Sequence, residues 1–132
     1  MSDQKIPAEV INFIAAYIDS ALQLEILLLL HKHADRRWTA AEIDLELRIN
    51  QEWVAQQLAE LSRRDLLLCM AGAVPAYQFA PSDPNLASTI SLLAKWHSTH
   101  RVAIVTAIYS KSTDTLRTFA DAFRLRKGGP NG

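Results

Sequence analysis

Apolar residues recur at three- and four-residue spacing over most of this chain, a periodicity that predicts helices. Pro7 suits the first turn of a helix, where its missing N–H would have no partner, and the helical pattern then runs from Ala8 to His31. Val10, Phe13 or Ile14, Tyr17, Ala21, Leu24 and Leu28 form one stripe. Ile11, Ile18, Leu22, Ile26, Leu29 and Leu30 widen it almost all the way round. The polar pair Asp19-Ser20 predicts a break into two helices. Leu27 to Leu30 has no polar side, and such a helix must be buried on most faces. A second subunit is expected to supply that cover.

The pattern changes between Thr39 and Pro81. Thr39 can cap a helix start and Glu42, three residues on, can return the bond, which is a capping box. Ile43, Leu45 and Leu47 give this helix an apolar side before Arg48-Ile49-Asn50 breaks it. Asn50 suits the cap of a second helix, in which Val54, Leu58 and Leu61 recur as one stripe. Asp65 sits where this helix turns out. Leu66 to Met70 is then an extended apolar run, Ala71 to Ala76 a turn, and Tyr77-Gln78-Phe79 a returning strand. Trp38 is expected to anchor the loop ahead of Thr39, one face buried and its indole N–H in water.

Beyond the hairpin, Ser82-Asp83-Pro84 is a helix start, and no Gly or Pro interrupts the pattern before about Ser110. Leu86, Ile90 and Leu93 make one seam of this helix. Val102, Val105 and Tyr109, with Ile104 and Ile108, make another, and the polar belt from Lys95 to Arg101 lies between. Ser112-Thr113-Asp114 caps a last helix to about Arg126, with a narrow stripe of Leu116, Phe119, Ala120 and Phe123. Residues 128–132 read as a flexible tail.

Helix, turn, helix and hairpin in this order resemble the winged helix-turn-helix domain. The stretch INQEWVAQQLAELSRRDLL resembles the recognition helix and exit of small bacterial MarR-like regulators, and LLLCMAGAVPAYQFAP resembles their wing. With residues 20–33 as the preceding helix, the resemblance covers roughly half the chain. It implies a mainly α fold with a small β-hairpin wing and long flanking N- and C-terminal dimerisation helices. The corresponding divisions of one domain, 1–132, are an N-terminal dimerisation helix (7–19), a winged core (20–81), C-terminal dimerisation helices (84–127) and the tail. The function implied is transcriptional regulation by a homodimer on double-stranded DNA, with the recognition helix, 51–64, in the major groove. That docking exposes Gln51, Glu52, Ala55, Gln56 and Ala59. Gln51 or Gln56 can pair with adenine, and Glu52 can accept from cytosine. Arg48 and Asn50 can hold phosphate at the helix start, with Arg36, Arg37 and Arg63 as further phosphate contacts. Dimerisation would use Phe13, Tyr17, Leu24, Val102, Ile104, Val105, Ile108, Tyr109, Leu116, Phe119 and Phe123.

Composition qualifies this picture. In 132 residues, 49% are hydrophobic, enough for a packed core in one domain. The N-terminus has no signal-peptide pattern, and Asn12, Asp19, Gln23 and Glu25 interrupt the apolar run from Val10 to Leu30. A cytoplasmic protein with no membrane partner is therefore expected. Cys69 has no second cysteine to pair with and is expected to be a small buried hydrophobe. The 14 basic and 14 acidic residues cancel, but residues 1–60 hold five Lys/Arg against ten Asp/Glu. A nucleic-acid binder concentrates positive charge on one face, whereas here the basic excess is C-terminal.

That imbalance keeps a second class open, an adaptor whose winged helix binds another regulatory protein rather than DNA. The last helix has two readings as well. It can cap the dimer, or dock in a partner's groove through Leu116, Phe119 and Phe123. His97 and His100, three apart, can share a metal, with His31 and His33 adding to the set, but no Cys or carboxylate completes it. Polar interface histidines, and no metal or cofactor, are expected. No Gly-rich phosphate loop, H-E-x-x-H or G-x-S-x-G is present, so catalysis is not expected.

Overall fold

The computed structural model of the protein describes residues 5–110. The expected final helix with Leu116, Phe119 and Phe123, and the tail, lie outside the described residues. Helix α1 (Ala8–Tyr17) starts after Pro7, whose carbonyl accepts from the amides of Val10 and Ile11. The chain breaks at Ile18 to Ser20, and α2 (Ala21–Lys32) leaves at 111° to α1. Ser20 caps α2 by accepting from the Gln23 amide. Among the described residues, no single helix is long and apolar enough to cross a membrane.

Helices α3 (Ala40–Leu47) and α4 (Gln51–Arg63) follow, then strands β1 (Leu67–Met70) and β2 (Ala76–Phe79), and then α5 (Pro84–Thr99). The strands pair antiparallel with Leu67 opposite Phe79 and Met70 opposite Ala76. Trp38 adds a further rung: its amide donates to the Tyr77 carbonyl at 2.7 Å and its carbonyl accepts from the Tyr77 amide at 2.8 Å. The loop before α3 is thus stitched to the hairpin.

The long C-terminal helix expected to reach Ser110 unbroken is instead two helices. It stops at His100 and restarts as α6, Arg101–Ser110. The Ser98 and Thr99 hydroxyls bond back to the Lys95 carbonyl, and the Thr99 hydroxyl also meets the His100 ring nitrogen at 2.8 Å. Such back-bonding offers the backbone an alternative to the helical ladder and bends it.

One core joins all these helices. Leu24, Leu27 and Leu30 of α2, Ile43 of α3, the α4 stripe Val54, Leu58 and Leu61, and Ile90 and Leu93 of α5 are buried. The expectation that Leu27 to Leu30 needs a second subunit is corrected. Leu27 and Leu30 are already inaccessible within the single chain, because α4, α5 and β2 all pack on α2, and Leu28 and Leu29 are half-buried.

Two side chains differ from expectation. Cys69 is exposed. Leu67, on the same face of β1, is buried at the root of the hairpin, whereas Cys69, although opposite the buried Tyr77, lies one rung from the end of the ladder and is left uncovered. Trp38 is 2% exposed, with the Arg36 guanidinium 3.6 Å above its ring. Its indole N–H is buried with no hydrogen-bond partner among the described residues, not in water, because the Tyr77 bridge draws the whole ring inward.

Candidate nucleic-acid interface

The two helices of the motif are fixed by short-range polar contacts. Thr39 and Glu42 exchange both bonds of the capping box, at 2.9 and 3.2 Å. After α3, Arg48 takes the left-handed conformation (φ 53°) that turns the chain, and its amide donates to the Asp44 carbonyl. The Asp44 carboxylate accepts from the Ile49 amide at 2.9 Å and closes the turn. Asn50 caps α4, its side-chain oxygen accepting from the Trp53 amide at 2.8 Å. At the far end Asp65 is left-handed (φ 65°), the Leu66 amide reaches the Leu61 carbonyl and the Asp65 amide the Ser62 carbonyl. These two bonds are a Schellman closure, which turns the chain directly into β1.

With Val54, Leu58 and Leu61 on the core, α4 presents Gln51, Glu52, Ala55 and Gln56 to solvent, and Ala59 is half-buried. Helix α3 packs on α4, α4 packs on β1, and the hairpin follows. The fold is a winged helix-turn-helix.

No protein-family model matches the chain, and no curated protein matches its sequence. Solved structures similar to it include the following three. The adhesin competence repressor AdcR of Streptococcus pyogenes shares 18% identity over 87% of each chain, with a TM-score of 0.49. A double mutant of Lactococcus lactis ZitR shares 19% over 85% of this chain and 77% of that one, with a TM-score of 0.46. A single mutant of the same protein shares 19% over 96% of this chain and 78% of that one, with a TM-score of 0.43.

The basic residues around α4 are unequal. Arg37 and Arg48 are exposed and make no ion pair among the described residues. Arg36 lies 3.6 Å from Glu42, with both side chains about half exposed. Arg63 is held by Glu60 one turn away. Hydrogen bonds from Arg63 and then Arg64 hold the Glu60 carboxyl below its ordinary range. The wing tip, from Ala71 to Pro75, is exposed and carries no charge, and Val74 stands 64% exposed.

Arg64 was not singled out by sequence pattern, yet it makes the densest polar contacts of the motif. It donates to the Tyr17 carbonyl and pairs with Asp19 and Glu60, each at 2.9 Å. Burial disfavours its charge, but the bonds to Asp19 and Glu60 outweigh that and raise its pKa. Gln57 carries no sequence signal either; its side-chain oxygen accepts from the buried Gln23 at 2.8 Å.

The proposed dimer residues that are described fall into three groups. Phe13, Leu24, Ile104 and Ile108 are buried in the protomer's own core. Tyr17 and Val105 are half-buried, with Tyr17 stacked on Phe13 at 4.9 Å between ring centres. Val102, at 79%, and Tyr109, at 57%, are exposed on α6.

The histidines are dispersed. His97 lies 3.6 Å from Glu25, which also takes Arg101 at 2.8 Å. His100 packs on Trp96, His33 lies beside Trp38, and His31 meets the Ser91 hydroxyl at 3.1 Å. Burial lowers the His31 pKa. Among the described residues, no group of three or more His, Cys, Asp or Glu could hold a metal ion. A cavity of about 480 Å³ between α2, the end of α3 and α5 is lined mainly by Leu28, Leu29, Leu47 and Ala94, with Glu25 and His97 among its polar neighbours.

Proposed function

We propose that the protein is a transcriptional regulator of the MarR-like kind that binds double-stranded DNA as a homodimer. The observation that carries this reading is the outer face of α4. It offers Gln51, Glu52 and Gln56 side by side on a helix whose opposite stripe is locked in the core. A helix so held can enter a major groove without reorganising. Gln51 and Gln56 would pair with adenine edges, Glu52 would accept from cytosine, and Arg37, Arg48 and the α4 amides would meet phosphate, with Asn50 holding those amides in place. Residues 7–19 and 84–127 would join two protomers and set the spacing of two winged cores, 20–81, with Val102 and Tyr109 as the accessible contacts.

A second reading has its own support. Glu42 and Glu60 engage two of the four candidate phosphate-binding arginines, and the wing is uncharged. A winged helix of this kind suits an adaptor that binds another regulatory protein. Retrieval of genomic fragments by the purified protein at two salt concentrations separates the two. Under the DNA reading, Gln56→Ala costs about 1–3 kcal/mol at the selected site and blurs preference at one position. Arg48→Ala weakens binding to all sequences alike. If no sequence outcompetes bulk DNA at physiological salt, the adaptor reading takes its place.

A further inference from the structure

Two polar contacts leave α4 and its C-cap on a flank other than the exposed face, and both end where α1 passes into α2. The first is between amides. Gln23, fully buried, accepts from the Asp19 amide at 2.7 Å and donates to Gln57 of α4 at 2.8 Å. The second is ionic. Arg64 donates to the carbonyl of Tyr17, the last residue of α1, and pairs with Asp19 in the bend itself. A cation at that place also suits the negative end of the α1 dipole.

Gln57 and Arg64 are seven residues apart, which is about two turns and roughly 10 Å along α4. A single contact would be a pivot; two so separated fix both the direction of the helix and its rotation about its own axis. Hydrophobic contact is non-directional, whereas hydrogen bonds weaken steeply as they bend, so the two contacts add angular definition to the packing that holds the apolar stripe of α4 in the core.

We propose that Gln57 and Arg64 are positioning residues that rivet α4 to the α1–α2 bend, so that the bend sets the angle at which the α4 face meets DNA. The inference rests on the DNA-binding reading for its last step only. Since α1 belongs to the segment proposed to pair protomers, the angle of pairing passes directly to α4 through residues 17–23.

The test replaces both rivets, Gln57→Leu with Arg64→Met, in the full chain. Residual dipolar couplings report helix orientation without DNA. In the wild type one alignment tensor describes α1, α2 and α4, and in the folded variant α4 requires its own. Binding to the duplex that the wild type selects from a random pool falls roughly 2- to 30-fold, while affinity for bulk DNA and its salt dependence stay the same. A role in stability alone would lower the denaturation midpoint and leave the tensors joined. Gln57→Glu keeps an acceptor for Gln23 and retains the single tensor. Should the double variant not fold, Arg64→Met alone keeps the buried amide pair and shows the same changes in smaller measure. A single tensor in the folded variant overturns the proposal, as does separation of the tensors with undiminished sequence preference. If the wild type selects no sequence, the DNA reading fails by itself, and the tensors still decide whether the rivets hold α4.

Discussion

Under the proposed DNA-binding reading, Glu42→Gln is a sharp probe of how this motif would meet phosphate. Glu42 does two things at once: it returns the capping-box bond to the Thr39 amide and faces Arg36 at 3.6 Å. Glutamine keeps the first role, since its carbonyl oxygen can accept the same bond, and removes the second. Both ion-pair partners are about half exposed (47% and 46%), so the pair itself is worth less than about 1 kcal/mol. Protein stability should therefore barely move. DNA binding should move more. On that reading, if Arg37 and Arg48 alone engaged phosphate, the slope of log affinity against log salt would be about 1.8 per protomer, or roughly 3.6 for a dimer. Releasing Arg36 adds about 0.9 per subunit, so between 50 and 200 mM salt the variant loses about 12-fold more affinity than the wild type. Anisotropy titrations of a labelled duplex across that range read the slope, with a thermal melt as control. An unchanged slope with an unchanged melt refutes the reasoning, because Arg36 would then lie off the path of the DNA backbone.

Two further outcomes follow from burial and charge. Ile104→Asp puts a carboxylate where no solvent reaches and should unfold the protomer; Val102→Asp, on the exposed side of the same helix, should keep native circular dichroism while light scattering shows monomers, and a dimeric Val102→Asp protein would exclude α6 from the interface. His31 is kept neutral by burial, so the unfolded chain takes up its proton first. Its contribution to stability is complete above the ordinary value of 6.5 and is lost as pH falls from there toward the lower folded value. Denaturant midpoints measured between pH 8 and 5 should fall less steeply for His31→Gln than for the wild type, and equal slopes would count against it.

What the sequence discloses here is what lies within one or two helical turns. The Thr39–Glu42 box, the Asn50 cap, the Val54–Leu58–Leu61 stripe and the break at Ser20 all depend on residues three or four apart, and each takes its expected place. Contacts between distant segments are a different matter. Gln23 and Gln57 are 34 residues apart and Arg64 and Tyr17 are 47 apart. No periodicity marks either pair, and each residue alone reads as an ordinary polar surface position. Side-chain pairing also changes the meaning of composition, since an arginine counted toward DNA carries a different weight once Glu60 holds it. The exposed Cys69 and the self-sufficient burial of Leu27 share one cause. Hydropathy reports what a residue prefers, while the path of the chain decides whether cover is there.

The stitch between Trp38 and Tyr77 makes the hairpin a cantilever. Strand β2 is held on both sides, by the β1 ladder and, at Tyr77, by the loop ahead of α3, and Gln78 ties it further to the Ala34 carbonyl at 3.0 Å. The last paired rung is Met70 with Ala76, so only the short span between them overhangs. Load applied at the tip is borne at Trp38 and passes into the loop after α2. Within that overhang, a β-carbon added at Gly72 would come no nearer than 3.9 Å to the Val74 carbonyl. The span has room for a β-carbon there, so glycine at this position, and with it the neutrality of the tip, is not demanded by a steric clash at the backbone.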